Sequence, residues 1–148
     1  MTVPDAVAEL DRLRDEAEAA FIARDVPGYM RMFSPYVKYK RANGMVLNYG
    51  ELTADVERQM HIIPLIKISR VRESYEQASD TIVEVITQAT SMTATAFFLL
   101  TRIMEITRKA KYVWTQTADG WRITEVEILH DDVKAHWGLG FVKPWRIT

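Results

Sequence analysis

Residues 112–123 read YVWTQTADGWRI, and the pattern is that of a β-hairpin. The β-branched and aromatic residues predict two strands, and Ala118-Asp119-Gly120 predicts a tight turn between them. The strand pattern extends back from this turn to Arg102 and forward to His130. Apolar residues alternate along the first strand, so we predict that one of its faces is covered. That face carries Met104, Ile106, Ala110, Tyr112 and Trp114.

Two further strands are predicted before this hairpin. They span Leu65–Gln77 and Thr81–Met92, while residues 93–100 fit either a strand or a loop. The connections are short, so we expect consecutive strands to pair antiparallel. Three of the four predicted strands exceed ten residues. This is about twice the usual length, and strands so long must twist and coil.

Helical spacing is found in the N-terminal part of the chain. The first helix is predicted from about Asp5 to Arg24, with an apolar stripe on one side and charged residues, including Arg14, on the other. Asp25 can cap a second, short helix that is predicted to end at Pro35. A third helix is predicted over about Glu51–His61.

A small hairpin is predicted between the second and third helices, with strands at Tyr36–Arg41 and Met45–Leu47 and a turn at Asn43-Gly44. A twenty-residue helix and a ten-residue strand both span about 30 Å, so the first helix can lie inside the curl of the sheet. We therefore predict a single α+β domain, residues 1–130, in which three helices pack in a strongly curved antiparallel sheet. The open end of this cone is a pocket with apolar walls.

Residues 131–148 are predicted to form a C-terminal tail. They include four large apolar residues: Trp137, Leu139, Phe141 and Trp145. These are too many for a solvated segment, so we expect the tail to pack on the domain or on a second subunit. Four residues at or just before its start are of metal-ligating types: His130, Asp131, Asp132 and His136. Their spacing matches no pair of ligands on a helix or a strand, so no metal site is predicted.

Composition and charge exclude several functions. The chain has 19 basic and 20 acidic side chains and a net charge of −1, which provides no positive field for a nucleic acid or an anionic membrane. Cysteine is absent, so there is no disulfide framework, zinc–thiolate site or thiol nucleophile. No segment approaches the roughly 20 apolar residues of a membrane span, and the N-terminus lacks the pattern of a secretory signal. We expect a soluble, cytoplasmic protein.

The order of these elements resembles that of a known superfamily. The residues that carry the resemblance are 21–25 (FIARD), 30–33 (MRMF), Gly44, 112–114 (YVW) and 119–123 (DGWRI). Over about residues 5–130 the chain resembles the nuclear transport factor 2-like superfamily, and most closely its SnoaL-like, polyketide cyclase-like branch. The resemblance implies a cystatin-like cone and a homodimer through the outer face of the sheet. It does not fix the function, because this fold hosts isomerases, dehydratases, cyclases, epoxide hydrolases and binding modules.

The ketosteroid isomerases of that superfamily provide a test. At the positions of their proton-shuttling aspartate, first-helix tyrosine and protonated aspartic acid, this chain has Tyr39, Ala17 and Tyr112. The base and one oxyanion donor are missing, so isomerase chemistry by that mechanism is not expected. Many cyclases and dehydratases of the superfamily carry histidines where this chain has Glu125 and Glu127. The resemblance therefore implies that any acid–base chemistry here uses carboxylates and tyrosine hydroxyls instead of histidine.

Glu125 and Glu127 lie two residues apart on the last predicted strand, and simple alternation puts them on the same face as Trp121 and Ile123. If that face lines the cone, burial would raise the pKa of a carboxyl group, and Glu127 could act as a general base. The alternative is that the strand bulges or faces solvent, which would make both residues surface charges.

Other polar groups complete the candidate site. Tyr39 and Tyr112 could donate to a carbonyl or enolate oxygen, or they could be core tyrosines with satisfied hydroxyls. His61, after the third helix, could be a second proton carrier or could interact with the helix dipole or water. Further residues are predicted to line the pocket or its rim: Phe33, Arg41, Met60, Arg102, Met104, Arg108, Trp114 and Glu125.

Two functions remain open. The first is a cofactor-free proton-transfer enzyme, a lyase, cyclase or isomerase acting on a small apolar carbonyl or polyketide-like molecule, with Glu127 as its base. The second is a non-catalytic module that binds a small apolar ligand in the same pocket or docks to another subunit. A cavity of at least about 300 Å³ with a buried carboxylate favours the enzyme. A cone filled by tryptophan and methionine side chains favours the module.

Overall fold

A computed structural model describes residues 3–62, 65–97 and 100–139. Within these ranges the chain forms three helices, α1 (Val3–Ile22), α2 (Val26–Met30) and α3 (Tyr49–Ile62), and six strands. The strands are β1 (Phe33–Lys40), β2 (Val46–Leu47), β3 (Leu65–Ala78), β4 (Thr81–Phe97), β5 (Leu100–Thr117) and β6 (Gly120–Leu139). The predicted α+β class and order of elements are confirmed.

The strands form one curved, unclosed sheet in the order β2-β1-β6-β5-β4-β3. Strands β3 to β6 pair antiparallel with their sequence neighbours, as their short connections predict. Strand β1 is antiparallel to β2 but parallel to β6, so the sheet is mixed at this junction. Pro35, predicted to end α2, lies instead in β1, where the register with β6 shifts between Phe33 and Lys38. Proline is tolerated at such an irregular position.

Local signals fix where α2, α3 and the small hairpin begin. The Asp25 carboxylate caps α2 by accepting a hydrogen bond from the Gly28 amide at 3.1 Å. Asn48 caps α3: its side-chain oxygen accepts from the Glu51 amide at 2.9 Å, and the Glu51 carboxylate accepts from the Asn48 amide at 3.1 Å. Gly44 has a φ of +88° in the hairpin turn, which glycine adopts without strain.

Strand β6 is longer than the sequence pattern predicts. It continues past His130 to Leu139 and pairs with the first half of β5. The predicted end at His130 is wrong, because a bulge at Leu129 interrupts the alternation that marks a strand. Residues 131–139 of the predicted tail are thus part of the sheet, while residues 140–148, with Phe141 and Trp145, lie outside the described residues.

The core forms where the apolar stripe of α1 meets the inner face of the sheet. Its largest fully buried apolar side chains are Leu10, Met30, Ile82, Trp114, Trp121, Ile123 and Val126. None of the helices in the described ranges is long and apolar enough to span a bilayer.

A second bulge decides which residues of β6 face this core. The extra residue is Thr124, between the paired positions Ile123 and Glu125. Odd-numbered residues of β6 are buried before the bulge, and even-numbered residues are buried after it, as far as Ile128. One extra residue shifts the alternation by one. Glu125 and Glu127 therefore lie on the outer face of the sheet.

Candidate functional site

A cavity of about 410 Å³ lies between the helices and the inner face of the sheet. Apolar side chains make most of its wall, among them Phe21, Met32, Phe33, Met92, Met104 and Ile106. Polar side chains also line it: the tyrosines Tyr29, Tyr39 and Tyr112, the arginines Arg14, Arg70 and Arg108, and the residues Glu18, Gln59, Gln88, Thr90 and Thr93. The cavity thus combines mostly apolar walls with hydrogen-bonding groups, of which the tyrosines and arginines supply donors.

Arg108 is held in place by two partners. Its Nε and Nη2 atoms donate to the two carboxylate oxygens of Asp131 at 2.7 and 3.1 Å, and its Nη1 atom donates to the Tyr39 hydroxyl at 3.1 Å. The two bonds to Asp131 fix the plane of the guanidinium group. Because the Tyr39 oxygen accepts from Arg108, the hydroxyl proton of Tyr39 points elsewhere and is available to another acceptor.

The three tyrosines of the cavity are protonated phenols near neutral pH. Burial raises the pKa of Tyr29 and of Tyr112, and it raises the pKa of Tyr39 to about 12 although Arg108 opposes this shift. The hydroxyls of Tyr29 and Tyr112 have no hydrogen-bond partner in the part of the chain that the structure describes. These phenols can therefore donate hydrogen bonds into the cavity.

The raised pKa of Tyr39 predicts a loss of stability in alkali. An unfolded tyrosine titrates near pH 10, so the contribution of Tyr39 is complete below about pH 10 and is lost as the pH rises through about 12. Urea denaturation at several pH values should show a smaller alkaline loss in Tyr39→Phe than in the wild type. The control is Tyr36→Phe, because the Tyr36 side chain is 87% exposed. An identical pH dependence in wild type and Tyr39→Phe would refute the prediction.

Arg14 reaches the cavity from a buried ion-pair network. Its guanidinium group donates to Glu84, which is fully buried, and lies 5.1 Å from the centre of the Tyr112 ring. The Glu84 carboxylate also accepts from Trp114 Nε1 and from Arg72 Nε, each at 2.9 Å. Three donors satisfy this carboxylate, which is how a charge tolerates complete burial.

The sequence places Arg14 on the polar side of the first helix, whereas the structure buries it, with 7% of its surface exposed. The signal that could have located its partner is the inward-facing series Ile82, Glu84, Ile86 on β4, in which one acid interrupts an apolar face. A charge at such a position needs a buried cation opposite it.

Solved structures of similar fold identify the architecture of this chain. A candidate scytalone dehydratase from Novosphingobium aromaticivorans has a TM-score of 0.73 and 7% identity, covering 89% of this chain and 91% of its own. A candidate dehydratase of the nuclear transport factor 2-like family from Streptomyces avermitilis has a TM-score of 0.68 and 15% identity, covering 86% and 97%. A domain of unknown function with a cystatin-like fold from Nostoc punctiforme has a TM-score of 0.66 and 13% identity, covering 86% and 78%.

The chain has the nuclear transport factor 2-like fold. Neither a protein-family model nor a curated protein matches the sequence. At these identities the likeness establishes the nuclear transport factor 2-like, or cystatin-like, architecture, and function has to be argued from the cavity itself.

Five of the predicted residues line the cavity of this nuclear transport factor 2-like fold: Phe33, Tyr39, Met104, Arg108 and Tyr112. Met60 and Trp114, predicted to line it, are buried in the core but do not line the cavity. For Trp114 the reason is its hydrogen bond to Glu84, which directs the indole into the core.

Two other predicted residues lie away from the cavity. Arg41 forms an ion pair with Asp55 at 2.9 Å, and His61 is exposed on the last turn of α3. Arg108 was expected only at the rim, yet it lines the cavity together with Tyr39. The side chain of Arg102 lies outside the described residues.

The position of Glu127 removes the predicted general base. Its side chain is 41% exposed on the outer face, and its carboxylate lies 3.5 Å from the Lys40 ammonium group. Glu125 is exposed on the same face. The prediction that Glu127 works inside the cone is wrong, because the bulge at Thr124 turns both carboxylates outward.

Proposed function

We propose that the protein binds a small, largely apolar molecule in the cavity, with the polar end of the ligand next to Tyr39 and Tyr112. The observation that carries this proposal is a largely apolar cavity of about 410 Å³ that three tyrosines line. Ligand sites in proteins have this size, apolar lining and small number of polar groups. Two of the compared structures bear dehydratase descriptions, which fits a site for a molecule of substrate size.

Binding is supported better than proton transfer by the arrangement of the carboxylates. Glu127 lies outside the cavity, and the carboxylate among the described lining residues is that of Glu18, which lies 2.7 Å from the Arg70 guanidinium group. A general base needs a proton acceptor that is free to reach the ligand. A homodimer through the outer face of the sheet and a place in the SnoaL-like branch are further parts of this proposal.

The binding proposal predicts that filling the cavity abolishes binding. N-phenyl-1-naphthylamine, an uncharged fluorophore, should give a saturable rise in fluorescence with the wild type. Ile106→Trp should weaken its binding at least tenfold, because Ile106 lines the cavity and the larger indole would occupy the space of the probe. Fluorescence titration measures both affinities, and circular dichroism verifies that the variant is folded.

The matched control is Thr107→Trp. Thr107 is the next residue on β5, and its side chain is exposed on the opposite face of the sheet. This variant should bind N-phenyl-1-naphthylamine within about twofold of the wild type, because surface substitutions rarely perturb a distant site. Equal effects of both tryptophans, or no saturable signal with the wild type, would reject the proposed function.

A further inference from the structure

Each arginine that lines the cavity is already paired with a carboxylate. The pairs are Arg14 with Glu84, Arg70 with Glu18 at 2.7 Å and Asp15 at 3.0 Å, and Arg108 with Asp131 at 2.7 Å. A guanidinium group so paired offers little net attraction to a second anion, which would also meet repulsion from the carboxylate already there. The arginines therefore act as fixed hydrogen-bonding groups of the wall.

Arg72, which lies next to the cavity arginines without lining the cavity, is also paired with carboxylates. Arg72 shares Glu84 with Arg14 and lies 2.6 Å from Asp11. Four arginines (14, 70, 72 and 108) thus meet five carboxylates (11, 15, 18, 84 and 131) among the described residues. This group of charges has no positive excess, so a buried anionic ligand would lose its hydration without gaining a free cation.

Two of the tyrosines that line the cavity supply hydrogen-bond donors, Tyr39 and Tyr112. The Tyr39 oxygen is occupied by Arg108 at 3.1 Å, which leaves its proton for the ligand. Tyr112 lines the same cavity, and its hydroxyl is free of partners in the described part of the chain. Two donors without a free cation match the oxygen of a ketone, aldehyde, ester or amide better than that of a carboxylate.

We infer that the cavity selects an uncharged molecule whose polar atom is a hydrogen-bond acceptor, and that it discriminates against carboxylates of the same shape. This inference rests on the proposed function and specifies its ligand class. Asp131 is the positioning residue in this arrangement, because it matches the charge of Arg108 and fixes the guanidinium group that orients Tyr39.

Three probes of nearly equal shape test the inference: 2-acetylnaphthalene, 2-naphthoate and 2-ethylnaphthalene. By isothermal titration calorimetry at pH 7.5, the ketone should bind the wild type at least tenfold more tightly than the carboxylate. It should bind about three- to tenfold more tightly than the hydrocarbon, the ratio expected for one added hydrogen bond. Tyr39→Phe should reduce the advantage of the ketone over the hydrocarbon.

Asp131→Asn separates charge matching from a merely structural role. It leaves Arg108 with an unmatched charge, so binding of 2-naphthoate should improve at least fivefold relative to the ketone. The control is Asp132→Asn, the same change on an exposed neighbour whose strand partner is Thr107 on the outer face. Asp132→Asn should leave the ratio of the two affinities unchanged. If Asp131→Asn only damaged the structure, it would not raise the affinity for 2-naphthoate relative to the ketone.

Two outcomes separate the inference from the function on which it rests. If 2-naphthoate binds the wild type as tightly as the ketone does, the inference is overturned while the cavity remains a ligand site. If none of the three probes binds, the proposed function fails and the inference fails with it.

Discussion

A Glu84→Gln variant is expected to unfold with a free energy about 3–5 kcal/mol below that of the wild type. Glu84 is fully buried and accepts from Arg14, Arg72 and Trp114. The amide would leave the buried Arg14 cation without its counter-charge and would direct an N–H group at other donors. Urea denaturation monitored by circular dichroism measures the difference.

Two variants distinguish a lost ion pair from a general sensitivity to mutation. Arg14→Met combined with Glu84→Leu removes both charges of the buried pair and should recover much of the lost stability, because matched apolar replacements often substitute well for buried ion pairs. Glu125→Gln neutralises an exposed carboxylate and should change the free energy of unfolding by less than about 0.5 kcal/mol. A loss below about 1 kcal/mol in Glu84→Gln would contradict a role for Arg14 as a buried cation.

A Val126→Asp variant is expected to lose about 4 kcal/mol or more of stability, because it places an unpaired charge in the core. Val126 is 2% exposed, whereas the next residue, Glu127, has a side chain that is 41% exposed. Glu127→Val should therefore change stability by less than about 0.5 kcal/mol. Thermal and urea unfolding of the two variants measure both effects.

This pair of variants tests the bulge at Thr124 directly. Unbroken alternation from Trp121 would put Glu127 inside and Val126 outside, so the order of the two effects would be reversed. Tolerance of aspartate at position 126, with damage from valine at position 127, would rule out the bulged register. It would also restore Glu127 as a candidate base.

The architecture could be predicted because its signals are local. The apolar stripe of α1, the caps at Asp25 and Asn48, and the turns at Gly44 and Gly120 each act within a few residues of their own position. Such signals define elements and short antiparallel connections. The superfamily resemblance then supplied the cone, and the solved structures confirm that fold.

What could not be predicted depends on contacts between distant parts of the chain. The sequence around Phe33 carries no signal that β1 pairs parallel with β6. The sequence around Thr124 likewise carries no signal for a bulge. The bulge places Glu127 on the outer face, whereas alternation along a regular strand from Trp121 would place it inside. Strand partners and bulges are set by the whole sheet.

The candidate site was predicted in part for the same reason. Alternation on β5 predicted Tyr112 and Met104 correctly, because the pairing of β5 with β4 is unbroken between these two residues. Asp131 was assigned to the tail, so its bond to Arg108, and through it the orientation of Tyr39, could not be foreseen. The burial of Glu84 and Arg14 could not be predicted from either residue alone, because each charge is stabilised by the other across 70 residues of sequence.

The parallel pairing of β1 with β6 has a consequence for how the protein acquires its structure during translation. Strand β1 is synthesised before β3, β4 and β5, whereas its parallel neighbour β6 follows all three in the part of the chain that the structure describes. The parallel pairing of β1 therefore cannot form until β6 has been synthesised. Until then, exposed apolar surface on the nascent chain is available to chaperones. The long sequence separation between β1 and β6 should also make folding slow.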